Sequence, residues 1–143
     1  MANQVRVNQT ICEGNRKQVG LWLHEHAASP QDTVFLESLG YIGYFSQLKT
    51  YDFPGLSSPE VVAARRKVGD DWARIVRLLK HSWLVLRPSE IRWIQSNDPT
   101  LLEKDYFAAK VFDVGQALQP YAKLPGMAAL GIDQTFVVFH RRG

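Results

Sequence analysis

The stretch from Val34 to Leu56, VFLESLGYIGYFSQLKTYDFPGL, constrains the fold more than any other part of the chain. It holds two apolar, extended runs that are separated by glycines and aromatic residues and closed by a Pro-Gly pair. Such runs between glycine and proline breakers predict strands, here over residues 33–36 and 48–53. The connection around Gly40 and Gly43 is shorter than the dozen or so residues of a helical crossover. We therefore expect a tight corner or a single helical turn between the two strands.

The rest of the chain alternates helical periodicity with short apolar runs. Apolar residues at helical spacing predict helices that begin near Gln18, Ser57, Asp70 or Asp71, Pro88 and Thr100. At Ser57 the signal is double, because this serine cap lies three residues before Glu60 and a proline falls in the first turn. In the helix after Asp71, a buried stripe is expected at Trp72, Ile75, Val76 and Leu79.

Three further strands complete the pattern. The wholly apolar residues 83–86 are typical of a central strand covered on both faces. Residues 106–112 and 136–140 predict two strands with no helix between them, joined by a Gly- and Pro-rich loop over 114–133.

These elements predict an α/β fold: a central, mostly parallel sheet of about four or five strands covered by helices. The sheet should be mixed at one edge, because the last two strands follow one another directly. A length of 143 residues suits one domain, 1–143, with residues 1–15 as a flexible lead-in.

Composition excludes several classes of protein. A net charge of +3 is too small to indicate nucleic-acid binding. The single cysteine, Cys12, excludes an internal disulfide and a multi-cysteine metal site. No run approaches the ~18 apolar residues of a membrane span, and the N-terminus lacks the regions of a signal peptide. We expect a soluble chain, with the reservation that Met1 could be a start placed inside a longer protein.

Two patterns that superficially indicate ligands have simpler explanations. His24 and His26 lie two residues apart on a predicted helix, whereas helix-borne zinc pairs lie four apart, so they are expected to be surface residues. Gly40-x-x-Gly43 lacks the lysine and the long following helix of a phosphate loop, so a glycine corner is expected instead. No cofactor or metal is predicted.

The ends of the first two strands carry the candidate chemistry. Glu37 and Asp52 could form a carboxylate pair for general acid-base catalysis, against roles in capping or salt bridges. The aromatic side chains of Tyr41, Tyr44, Phe45 and Tyr51 could form a platform for a sugar ring or lipid headgroup, against core packing. No G-x-S-x-G nucleophile motif appears.

Basic residues gather on two successive helices. The cluster consists of Arg65, Arg66, Lys67, Arg74, Arg77 and Lys80, with Arg16 or Lys17 as a further member. A solvated face is the common reason for such a cluster, and apposition to an anionic membrane surface is the second.

One block of the chain resembles a known family. Its matching positions are Glu37, Gly40, Ile42, Gly43, Tyr44, Phe45, Ser46, Asp52, Gly55, Leu56 and Pro59. The block resembles the C-terminal extracytoplasmic domain of membrane-embedded glycosyltransferases that use polyprenyl-phosphate-linked sugars, of the mannosyl- and arabinofuranosyltransferase type. The likeness continues more weakly over most of the chain, up to a terminal strand that ends at Arg141.

The resemblance implies a role on the extracytoplasmic, periplasmic side of the cell membrane. The domain would sit over the membrane-spanning part of the same protein and help to bind or orient an acceptor glycan. The family's catalytic carboxylate lies elsewhere, so no catalytic residue is assigned to this chain. Substrate-binding residues would be Glu37, Tyr41, Tyr44 and Asp52, while Gly40, Gly43, Ser46, Gly55 and Leu56 would maintain the motif.

Two alternatives stay open from the residues alone. A stand-alone α/β enzyme would require a pocket that gathers Glu37, Tyr44 and Asp52. A protein-interaction module would use the basic helices, and its binding would weaken steeply with salt.

Overall fold

A computed structural model describes residue 6 and residues 14–36, 40–52, 58–115 and 135–143. In this part of the chain the strands are β1 Thr33–Leu36, β2 Lys49–Asp52, β3 Trp83–Leu86, β4 Tyr106–Asp113 and β5 Thr135–Arg141. They form one five-stranded sheet in the order β2-β1-β3-β5-β4.

Helices flank this sheet. They are α1 Lys17–His26, α2 Gly40–Ser46, α3 Pro59–Val68, α4 Trp72–Leu79 and α5 Pro88–Asn97, followed by a π-helical turn at Leu101–Asp105. The predicted α/β class is therefore confirmed. Among the described residues, no helix has the length and apolar character needed to cross a membrane.

Strand directions confirm a sheet that is mixed at one edge. β1 pairs in parallel with β2 on one side and with β3 on the other, while β5 runs antiparallel to both β3 and β4. The tight corner predicted between β1 and β2 is wrong. Two parallel strands must start at the same end of the sheet, so the chain between β1 and β2 has to return along it, and the described part of this connection carries the seven-residue helix α2.

The core has two halves, one on each face of the sheet. Side chains alternate along a strand, so Phe35 of β1 faces the half covered by α3, α4 and α5, while Val34 and Leu36 face the half covered by α1 and α2. The stripe predicted for α4 is confirmed, with Trp72, Ile75 and Val76 buried and Leu79 partly buried against the same half.

Local signals explain where some helices begin. The Asp71 carboxylate accepts hydrogen bonds from the backbone N–H groups of Ala73 and Arg74, at 2.9 and 3.4 Å, and so caps α4. Gly69 precedes it with φ of 80°, a conformation that favours glycine. The serine cap predicted three residues before Glu60 is Ser57, which lies outside the described residues. Ser58 occupies the N-cap position of α3, but its side chain makes no capping hydrogen bond and instead donates to Asp52.

Two predictions fall largely outside the described part of the chain. These are the loop over 114–133, of which only residues 114 and 115 are described, and the lead-in over 1–15, of which residues 6, 14 and 15 are described.

Candidate functional site

Helix α2 is held against α1 by a close backbone approach. A Cβ atom added at Gly20 of α1 would lie 2.7 Å from the Cβ of Phe45 and 3.1 Å from the carbonyl oxygen of Ile42. Only glycine leaves this space, so Gly20 sets the separation of the two helices. Ile42 and Ser46 are fully buried by the packing.

The opposite side of α2 carries an exposed aromatic residue. Tyr44 is 77% exposed, and its ring meets that of Phe45 edge to face, with centroids 5.0 Å apart. The Nζ atom of Lys17 lies 5.2 Å from the centroid of the Phe45 ring. We call Lys17, Tyr44 and Phe45 the aromatic corner. A large, rigid tyrosine with a polar tip is well suited to contact a ligand that has both apolar and hydroxylated faces.

Ser46 turns the chain from α2 into β2. Its hydroxyl donates to the carbonyl oxygen of Gly43 at 3.2 Å and accepts from the N–H of Leu48 at 3.3 Å. Gln47 between them has φ of 57°, in the left-handed region. The Gly-Tyr-Phe-Ser motif thus fixes the exit angle of α2, and with it the position of Tyr44.

Asp52 closes β2 as a buried carboxylate. It is 3% exposed, and its Oδ1 accepts a hydrogen bond of 2.8 Å from the Ser58 hydroxyl. The same hydroxyl accepts from the backbone N–H of Asp52 at 3.2 Å. These two bonds join the end of β2 to the start of α3, across residues 53–57.

A second buried polar pair lies directly after β3, which is parallel to β1 and β2. Arg87 and Glu90 come directly after β3 and are each 8% exposed. The Glu90 carboxylate accepts a 2.8 Å bond from the backbone N–H of Arg87, and its other oxygen lies 3.6 Å from the Arg87 guanidinium. Since β2, β1 and β3 are parallel, Asp52 and this pair both lie at the carboxyl ends of these strands. This is the end of the sheet where α/β folds usually bind ligands. The local sequence predicts a helix start at Pro88 but does not mark Arg87 and Glu90 as a buried pair.

The predicted site residues are placed unequally. Glu37, Gly55 and Leu56 lie outside the described residues. Tyr41 belongs to α2, but its side chain is not among those that the structure describes. Tyr44 is exposed, whereas Asp52 is buried. A binding role for these residues stays a prediction.

The aromatic residues predicted to form one platform do not all lie on the same face of the sheet. Tyr44 and Phe45 are in contact, but Tyr51 packs against the core half that faces α3, α4 and α5. Its ring lies 4.8 Å from that of His81. Because α2 covers the other face of the sheet, including Tyr51 in the platform was wrong.

The two histidines of α1 are engaged with the protein itself. Nδ1 of His24 lies 3.2 Å from the carbonyl oxygen of Ser46, and Nδ1 of His26 lies 2.8 Å from that of Trp22. His26 also stacks on Trp22 with ring centroids 4.1 Å apart. Among the described side chains, no group of three or more His, Cys, Asp or Glu residues could hold a metal ion.

Half of the basic cluster is neutralised within the chain. Arg65 pairs with Asp70 at 2.7 Å, Arg74 lies 3.7 Å from Asp71, and Arg77 bridges Asp98 and Asp105. The side-chain hydrogen bond from Arg77 lowers the pKa of Asp98 to about 2. These pairs hold the ends of α3 and α4 to their surroundings, which reduces the charge available for an acidic partner.

Sequence reasoning missed the buried imidazole of His81. The residue is fully buried, and its ring lies 5.1 Å from Phe35 and 4.8 Å from Tyr51. Neither ring nitrogen has a hydrogen-bond partner among the described residues. Burial therefore lowers the pKa of His81 to about 3. No local pattern marks this histidine, because its environment comes from two other strands.

Together these features define a small α/β domain with an exposed aromatic corner above one face of a mixed sheet. The chain belongs to the family described as a domain of unknown function, DUF8728, whose model matches residues 3–139. No curated protein and no solved structure matches the chain.

Proposed function

We propose that the chain is the extracytoplasmic domain of a membrane-embedded glycosyltransferase that uses a lipid-linked sugar donor. In this role the domain binds or orients the acceptor glycan and does not transfer sugar by itself. Its direct partner is the membrane-spanning part of the same protein, which supplies the catalytic carboxylate. The aromatic corner is the surface that contacts the glycan.

The exposure of Tyr44 carries this proposal. Within one short helix, Ile42 and Ser46 are fully buried while Tyr44 is 77% exposed, so core packing does not account for the tyrosine. The same residue belongs to the Gly-x-Ile-Gly-Tyr-Phe-Ser block that resembles the glycosyltransferase domains. An exposed tyrosine held on a rigid helix offers a ring face to the apolar side of a sugar at low cost in conformational entropy.

Asp52 and Ser58 support the corner from a distance in this proposal. Their mutual hydrogen bonds fix the end of β2, the strand that α2 leads into. The burial of Asp52 favours this positioning role over direct contact with the glycan.

Glycan binding tests the proposal directly. Oligosaccharides of mannose and of arabinofuranose, titrated into labelled protein and followed by NMR, should shift the signals of α2 and the start of α1. Tyr44→Ala should abolish these shifts without changing the melting temperature. Phe107→Ala, at a side chain that is 39% exposed on β4, is the matched control and should bind as the wild type does. Saturable binding that is the same in wild type and Tyr44→Ala would remove the aromatic corner from the proposal.

The natural gene provides a second test. Several apolar spans of ~20 residues encoded in frame before this chain would agree with the proposal. A natural start at Met1 with no such spans elsewhere in the gene would contradict it.

A further inference from the structure

We infer that a cavity beside the amino end of β3 binds a phosphate group. The cavity has a volume of about 120 Å³ and lies between the end of α4, the start of β4 and the end of β5. Three cationic side chains line it, those of Arg77, Lys80 and Arg141. It lies on the face of the sheet covered by α4, away from the aromatic corner, so this inference does not depend on the proposed function.

Arg77 is already paired with Asp98 and Asp105, so the unbalanced positive charges around the cavity are those of Lys80 and Arg141. The carboxylate of Asp105 is the acidic group in the lining, and it already accepts a 2.8 Å bond from Nη1 of Arg77. Among the described residues, Lys80 and Arg141 form no ion pair. They are nevertheless neighbours, since Nη1 of Arg141 lies 3.5 Å from the carbonyl oxygen of Lys80. Both residues line the same cavity, and two cationic side chains that share a cavity without forming an ion pair there favour the binding of an anion.

Two of the three cationic residues are anchored by the fold, Arg77 through its guanidinium group and Arg141 through its backbone. Arg77 donates to Asp98, Asp105 and Thr100, which fixes its guanidinium and leaves one N–H free on each terminal nitrogen. The backbone N–H of Arg141 donates to the carbonyl oxygen of Ser82 at 2.9 Å, which anchors the end of β5. A preorganised set of donors loses less entropy when it binds a ligand.

The lining also includes a buried phenol. Tyr106 is 2% exposed and donates a 2.6 Å hydrogen bond to the carbonyl oxygen of His81. Burial raises the pKa of this phenol, while the positive charge of Arg141 acts in the opposite direction. Tyr106 thus forms a neutral wall and adds no negative charge that would repel an anion.

Size and chemistry select the ligand class. The cavity is small, at about 120 Å³, and its lining is cationic, which suits a small oxyanion better than a neutral sugar. Guanidinium and ammonium groups are the usual protein partners of phosphate oxygens. The phosphate could belong to a free phosphomonoester or to a lipid headgroup, and the two sources are distinguished by experiment.

Inorganic phosphate is the first probe, added at constant ionic strength with chloride as the balancing anion. With a dissociation constant on the order of 1 mM, 10 mM phosphate should raise the melting temperature by about 5 °C. Lys80→Asn suits the left-handed backbone of residue 80, whose φ is 54°, and should weaken binding about tenfold, as should Arg141→Gln. Arg92→Gln, on the exposed side of α5, is the matched control and should leave binding unchanged.

Vesicles containing phosphatidic acid provide the second arm. If the protein sediments with them, and Lys80→Asn and Arg141→Gln abolish this, the phosphate is a lipid headgroup. If phosphate binds in solution but the vesicles do not retain the protein, the ligand is a free phosphomonoester. The inference is overturned if neither probe binds saturably, or if both variants bind as tightly as Arg92→Gln. Because Tyr44→Ala should leave phosphate binding intact, a failure here is separable from a failure of the glycan proposal.

Discussion

Acid should destabilise this protein through His81 well before the carboxylates titrate. In the folded state the buried imidazole is protonated only near its lowered pKa of about 3, whereas in the unfolded chain it takes up the proton near the ordinary histidine pKa of 6.5. A depressed folded-state pKa means that stability is complete above pH 6.5 and is lost as the pH falls toward 3. Each pH unit within that window costs about 1.4 kcal/mol.

The magnitude can be stated for a convenient range. Between pH 7.5 and pH 5 the free energy of unfolding should fall by about 2 kcal/mol through this one residue. Urea unfolding at a series of pH values, followed by tryptophan fluorescence, measures the fall. The pKa of Asp98 is lowered to about 2, well below pH 5, so the titration of this carboxylate contributes little to the fall in stability between pH 7.5 and pH 5.

Two variants isolate the effect of His81. His81→Leu keeps an apolar group between Phe35 and Tyr51 and should remove most of the loss between pH 7.5 and 5. His24→Gln, at an exposed histidine, is the matched control and should keep the wild-type pH dependence. The reasoning is refuted if wild type and His81→Leu lose the same free energy over this range, or if NMR shows the His81 ring titrating near pH 6.5.

Three further changes test the packing described above by urea unfolding and NMR. In Gly20→Ala the added Cβ would lie 2.7 Å from the Cβ of Phe45, so α1 and α2 must move apart. The free energy of unfolding should fall by about 1 to 2 kcal/mol, after allowance for the gain in helix propensity. An unchanged free energy of unfolding would show that the two helices can separate freely. Ser58→Ala removes a donor from the buried Asp52 carboxylate and should cost about 1 to 3 kcal/mol, whereas an unchanged midpoint would mean that the bond contributes nothing. Arg77→Gln should lower the free energy of unfolding by about 1 kcal/mol or less, because solvent screens the partly exposed pair of Arg77 and Asp98. The same change should raise the pKa of Asp98 from about 2 toward 3.8, and NMR would contradict the pairing if this pKa did not move.

Local patterns predicted most of the elements correctly. Residues 33–36 and 83–86 form strands with the predicted bounds, and α4 begins after the Asp71 cap. These signals depend on neighbours within a few residues, so they are readable without knowing the fold. The mixed sheet edge was predicted in the same way, from the interpretation that the last two strands follow one another directly, and the antiparallel pairing of β4 with β5 agrees with it.

The site was predictable in part. The motif around Gly43 and Tyr44 singled out α2 from the sequence, and the tyrosine is exposed there as a binding role requires. Tyr51 was wrongly grouped with it, because the grouping assumed a corner where the chain makes a parallel crossover. Arg87 was missed, because its burial depends on where β3 lies in the sheet.

What the sequence by itself determined is the set of helices and strands and the α/β class, since periodicity, caps and breakers act over a few residues. Tertiary structure alone decided that β1 and β2 run in parallel, that His81 is sealed between Phe35 and Tyr51, and that Lys80 meets Arg141 across 61 residues of sequence. Long-range pairing and burial are properties of the whole packed sheet. For that reason residues of the proposed glycan surface could be selected from the sequence, whereas the cavity proposed to bind phosphate is formed only by the fold.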